Sequence, residues 1–231
     1  MKKIMMIAAM MVATISANAQ FEPGTFSLQP KVGGTISKVS NMPRLDFYNL
    51  KGDNVDVGRS FYLGLLIGGE AEYQLTKIFS VAGGINFALQ GCQWDNYEIK
   101  NGDNREKLKD PRLELAYLNL PFVANAYVYK GLAIKAGIQL GFMLSAKAKS
   151  SDEIKYKELD LDGTIESSWN VKSQMKTFDL SIPIGVSYQV PTIPIYIDAR
   201  YNLGLTKINK DGDTKYKNQV FQLTVGYKFA L

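Results

Sequence analysis

The sequence predicts an all-β fold: an eight-stranded antiparallel up-and-down transmembrane β-barrel with short periplasmic turns and long extracellular loops. Three observations predict it. Apolar residues recur at every second position over runs of about nine residues or more, longer than most globular strands. Such runs occur eight times, and the segments joining them alternate between short and long. A tilted membrane strand needs about nine to eleven residues. Because every second residue faces a polar interior, such a chain hides behind an ordinary mean hydropathy, here −0.11.

Residues 1–19 precede the first run and have the three parts of a secretory signal. Lys2 and Lys3 are followed by an apolar run from Ile4 to Ile15 and by Ala17-Asn18-Ala19 as a small-x-small cleavage site. The expected organisation is therefore a cleaved signal peptide at 1–19 and one outer-membrane barrel domain at 20–231. Past the signal, the longest nearly uncharged apolar stretch runs from Phe61 to Gly69, about half of what a membrane helix requires.

The outward rows can be read in order. The first is Phe26, Leu28, Pro30, Val32, Gly34 and Ile36. The second runs over alternate residues from Phe61 to Tyr73, and the third from Phe79 to Leu89. Leu118 to Val128 is the fourth; its earlier part, Leu113, Leu115 and Tyr117, is in the opposite phase, which predicts a bulge near Ala116. Leu132 to Leu144, Phe178 to Val190, Ile195 to Leu205 and Phe221 to Phe229 complete the set. Turns fall at 74–77, 129–131 and 191–194, and long loops at 38–59, 93–111, 148–173 and 208–218. Tyr73, Phe79, Tyr129, Tyr227 and Phe229 are expected to form a periplasmic aromatic girdle, with Tyr117, Trp94 and Trp169 in an outer one.

Several residues have the quality of fingerprints when taken in order. Tyr117-Leu-Asn-Leu-Pro-Phe122, Gly131-Leu-Ala-Ile-Lys-Ala-Gly137 with Gly141 and Leu144-Ser-Ala-Lys147, Arg200-Tyr-Asn-Leu-Gly-Leu205 and Val225-Gly-Tyr-Lys-Phe229 together resemble the PorT-type outer-membrane β-barrel family of the Bacteroidota. Two features depart from that pattern: Gly33-Gly-Thr-Ile lacks an Asn often found there, and Ala230-Leu231 follow Phe229. The resemblance implies an eight-stranded barrel, and some members of the family are tied to secretion machinery.

Chemistry is narrowed by what is missing. The chain has no histidine and one cysteine, which removes Ser-His-Asp and Cys-His catalysis, imidazole metal sites and an intrachain disulfide. No catalytic residue, cofactor site or metal site is expected. The basic excess, 27 Lys and Arg against 22 Asp and Glu, is interspersed and does not form a nucleic-acid footprint. Asp160 and Asp162 hint at a calcium loop but read more simply as turn formers. Cys92 reads as an unpaired thiol.

In the inward phase, Lys31, Glu70, Glu72, Lys135, Asp198, Arg200 and Lys228 lie toward the short-turn end, and Asp179 lies apart from them. Four bases and three acids at one level read as a structural ionic plug, with Arg200 the natural bidentate partner of Glu70 or Glu72. A paired-carboxylate site at Glu70 and Glu72 is the alternative. Trp94, Tyr97 and Trp169 are the candidate loop contacts.

The favoured reading is a non-enzymatic scaffold, binding or accessory subunit in the outer membrane. Its partners would be outer-membrane lipid and other outer-membrane or secretion-machinery proteins. A narrow porin-like channel and a soluble exported ligand-binding β-barrel are the alternatives.

Overall fold

A computed structural model describes residues 22–43, 45–48, 54–101, 104–156 and 161–231. The signal segment read at 1–19 lies outside the described residues. The strands are β1 (Phe26–Ser40), β2 (Leu45–Tyr48), β3 (Asn54–Val57), β4 (Arg59–Ser60), β5 (Tyr62–Gln74), β6 (Phe79–Trp94), β7 (Tyr97–Asn101), β8 (Asn104–Tyr129), β9 (Leu132–Tyr156), β10 (Leu161–Asn170), β11 (Phe178–Gln189), β12 (Ile195–Gly204), β13 (Lys217–Tyr227) and β14 (Phe229–Ala230).

Eight of these strands form an antiparallel ring in the order β1, β5, β6, β8, β9, β11, β12, β13 and back to β1. They coincide with the eight alternating rows. β14 carries the chain end onto β1, pairing Ala230 with Ser27 and Phe229 with Leu28. The short turns follow local chemistry. Lys130 and Gly131 both have positive φ, 26° and 88°, the two-residue geometry whose twist suits a hairpin. Thr76 closes another turn by accepting through its Oγ1 the N–H groups of Ile78 and Phe79 at 3.3 and 3.0 Å.

The facing of the strands decides the surroundings of the barrel. On β1, Ser27, Gln29, Lys31, Thr35 and Ser37 are buried while Leu28, Val32 and Ile36 are exposed. On β5, Leu63 and Leu65 are 71% and 69% exposed. An apolar outside around a charged inside inverts a water-soluble barrel, and hydrocarbon is the solvent that suits it. This facing sets aside the soluble ligand-carrying alternative. Closure leaves the ring without an exposed edge. No helix among the described residues is long and apolar enough to cross a membrane.

Two of the predicted loops are built differently. β8 and β9 do not stop at the rim but stay paired outward as far as Arg105↔Lys155. β7 and β10 flank them, giving a four-stranded sheet in the order β7-β8-β9-β10 within the segments expected to be loops, 93–111 and 148–173. The register does shift opposite Ala116, yet the extra residue is Leu144 on β9. β8 keeps one phase, so Leu113, Leu115 and Tyr117 continue inward.

Candidate functional site

The barrel interior has three levels. The first lies toward the short turns and contains the seven charged residues expected there, all 6% exposed or less. Five of them alternate in sign along a chain of contacts. Lys31 Nζ lies 2.5 Å from Glu70 Oε1, and Arg200 donates Nη1 and Nη2 to the two Glu70 oxygens at 2.7 Å each. Arg200 also meets Asp198, with Nη2 at 2.9 Å, and Lys135 reaches the same Asp198 oxygen at 2.6 Å. Beside this chain, Lys228 lies 2.8 Å from Glu72 and donates to Tyr127 Oη at 2.7 Å, while Tyr127 donates to Glu72 at 2.6 Å. Gln29 and Ser80 also donate to Glu72. Each carboxylate of this level is thereby paired and hydrogen-bonded, the condition under which burial of charge is tolerated.

Glycine makes the room. Gly185 stands in register between Lys135 on β9 and Arg200 on β12, and a Cβ there would lie 2.2 Å from Ala199 O and 2.9 Å from Arg200 Cγ. Gly84 does the same opposite Glu70, where a Cβ would lie 2.5 Å from Cγ of the glutamate. Long charged side chains beside bare backbone fill an eight-stranded interior that has little width to spare.

The middle level is amides: Asn86, Asn119, Asn202 and Gln222 are buried. Both side-chain polar atoms of Asn86 and Asn202 lack a protein hydrogen-bond partner. Asp179 sits above these residues, apart from the ionic layer as expected. It accepts from Thr206 Oγ1 and Asn218 Nδ2 at 2.7 Å each, and Asn218 also donates to Tyr117 Oη at 3.1 Å.

The third level, at the outer mouth, is apolar and was not foreseen. Val39, Cys92, Trp94, Leu113, Leu115, Tyr117, Met143 and Ala146 pack with Met175 and Ile208 from the loops above. Met175 and Asn209 form a β-bridge, and Lys176 N–H donates to Ile208 O at 2.7 Å, which draws the two loops together. The Asn209 amide folds one of them by donating to Asp211 O at 2.6 Å and Thr214 O at 2.9 Å.

The family model described as the outer membrane protein beta-barrel domain matches residues 18–210. The chain belongs to that family. Solved structures similar to it include Ail of Yersinia pestis, determined with the heparin analogue sucrose octasulfate. Ail shares 15% identity over 90% of this chain and 99% of its own, with a TM-score of 0.42. Neisserial surface protein A shares 14% identity over 88% and 97%, TM-score 0.41, and OprG of Pseudomonas aeruginosa 12% over 92% and 99%, TM-score 0.36. No curated protein matches the chain. Membership places this β-barrel domain in the outer membrane, in contact with its lipid.

Within this outer membrane β-barrel domain the aromatic expectations divide. Tyr73, Phe79 and Tyr129 are exposed around the short-turn end, and Tyr227 and Phe229 stack nearby with ring centroids 4.2 Å apart. Tyr117 and Trp94 do not belong to an outer girdle. Tyr117 keeps the inward phase of β8, and Trp94 is 6% exposed, donating Nε1–H to Pro43 O at 3.0 Å. Trp94 is therefore core and offers no loop contact; Tyr97 packs partly against the same core, and Trp169 is 57% exposed. Asp160 lies outside the described residues, and Asp162 pairs with Lys155 at 2.9 Å.

Proposed function

We propose that this barrel is a non-enzymatic scaffold, binding or accessory subunit, closed to solutes, that acts through the sheet it raises outside the membrane. One observation carries the reading: β8 and β9 run on beyond the barrel as a paired, flanked platform. Beyond Arg112, the last residue of β8 paired to the wall strand β6, the strand continues to Arg105 for roughly 23 Å at about 3.3 Å per residue. Recognition sites are commonly mounted on such rigid supports. Trp169 and Ile165, 57% and 55% exposed on β10, are its apolar contact candidates. The ionic layer is a structural plug, and its carboxylates are engaged by cations. Residues 1–19 act as the cleaved signal, and the ordered motifs from Tyr117 to Phe229 support placement with the PorT-type barrels of the Bacteroidota.

Mild-detergent extraction from the chain's own membranes tests the reading. A partner should co-elute with the wild type and be lost from an Ile165→Ser/Trp169→Ala variant that still folds. A chain that always elutes alone contradicts it.

A further inference from the structure

Two strands separate at the outer rim of the barrel. β1 pairs with β5 only as far as Ser37↔Tyr62, yet with β13 as far as Ser40↔Lys217. The chain preceding β5 turns away, and β4 pairs with β6 instead, Arg59 opposite Trp94. The cleft left between β1 and β4 is a pocket of about 380 Å³ lined by Lys38, Arg59, Phe61 and Gln219, with buried Val39 and Cys92 behind it.

The outward-facing residues change character together at this latitude. Ile36 is followed outward by Lys38 on β1, Leu63 by Phe61 and then Arg59, and Phe221 by Gln219 and then Lys217 on β13. Two residues of strand advance about 7 Å. The cationic positions therefore begin one or two steps beyond Ile36, Leu63 and Phe221, where lipid headgroups would meet the wall.

We propose that this cleft binds the phosphate of an outer-leaflet lipid headgroup, with Lys38 and Arg59 as its two lips. Charge favours an anion: among the described residues no ion pair engages Lys38, Arg59 or Lys217, and Asp95, packed beside Gly58, forms none with Arg59. Lys38 Nζ is held 5.7 Å from the Phe61 ring centroid, and Arg59 is anchored by donating Nη1 to Met42 O at 2.9 Å. That single bond leaves most of the guanidinium donors for a ligand. The volume suits a phosphorylated glycerol or sugar. The part of β1 left unpaired toward β4, residues 38–40, is too short to seat a partner strand. A basic pocket at the edge of the hydrocarbon matches a phospholipid headgroup in place and in charge.

The test uses the full folded barrel in phosphatidylcholine vesicles containing a minor fraction of phosphatidic acid. Lipid retained after gentle extraction is read by native mass spectrometry, and folding is checked by heat-modifiable migration. The wild type should retain phosphatidic acid in preference to phosphatidylcholine. Lys38→Gln/Arg59→Gln should lower that retention about tenfold. Lys38→Gln alone, which removes no backbone contact, should lower it several-fold, whereas Lys172→Gln/Lys210→Gln, away from the cleft, should leave it unchanged. Equal retention by the cleft variants, or equal loss in the distant pair, overturns the proposal. Excess inorganic phosphate should not displace the lipid from the wild type; if it does, the site takes free phosphate and the lipid assignment falls.

Discussion

Arg200 and Glu70 meet across the lumen as a doubly hydrogen-bonded pair, both contacts 2.7 Å, from strands that lie three places apart around the ring. Each partner has a second charge behind it, Lys31 at Glu70 and Asp198 at Arg200. The contact thus ties β1, β5, β12 and, through Lys135, β9 into one unit.

Breaking this pair from one side strands a buried charge. Glu70→Ala should lower the unfolding free energy by about 3–5 kcal/mol, measured by urea unfolding in lipid vesicles. The Glu70→Ala/Arg200→Ala double variant should lose clearly less than the sum of the two single losses. Additive losses would mean that the two side chains are not coupled.

The glycine opposite Arg200 gives a steric test. Gly185→Ala should destabilise the barrel by about 1–3 kcal/mol, because the added methyl meets Ala199 O and the Arg200 stem. Gly163→Ala on β10, where nothing lies within 4 Å, should cost far less in the same assay.

The two tryptophans separate the outer core from the outer sheet. With Trp169→Phe, the remaining Trp94 emission should be blue-shifted and shielded from acrylamide. With Trp94→Phe, Trp169 should be red-shifted and readily quenched. Truncating Trp94 to Ala should also cost about 3–5 kcal/mol, whereas Trp169→Ala should stay within about 0.5 kcal/mol. Similar quenching of both indoles would contradict the placement of Trp94 in the mouth.

Outside the membrane, Lys109 and Glu153 link β8 to β9. The Lys109 hydrogen bond, aided by its charge, holds the Glu153 carboxyl below its ordinary value. A depressed carboxylate contributes stability above its unfolded pKa and loses it as pH falls through the folded one. Amide protection factors at 105–109 and 151–155, taken against the intrinsic exchange rate at each pH, should therefore fall on acidification below the normal glutamate range, and less so in Glu153→Gln. The difference should shrink at high salt.

The barrel was legible because one physical rule governs every wall strand: lipid selects apolar residues at alternate positions, and a charge in the other phase must point inward. That rule located the eight strands and the seven inward charges but left Arg200 a choice of Glu70 or Glu72; the structure pairs it with Glu70. It failed where no lipid acts. Between Arg105 and Asp110 every residue except Leu108 is charged, so no apolar period marks the strand that cross-strand pairing nevertheless builds. Met175 and Ile208 are single apolar residues in polar loops, and their meeting over the mouth depends on the bridge between Met175 and Asn209. The opposite phase of Leu113, Leu115 and Tyr117 was a usable signal. It marked an apolar stretch of lumen, with the extra residue carried by Leu144 on the facing strand.

Single-channel recording of the folded barrel in planar bilayers tests the proposed closure of the lumen most directly. Wild-type protein should give no stable conductance, and neither should Met175→Gly/Ile208→Gly, since the ionic layer remains beneath the opened mouth. Reproducible open channels in the wild type would contradict a barrel sealed by Glu70, Arg200 and their partners.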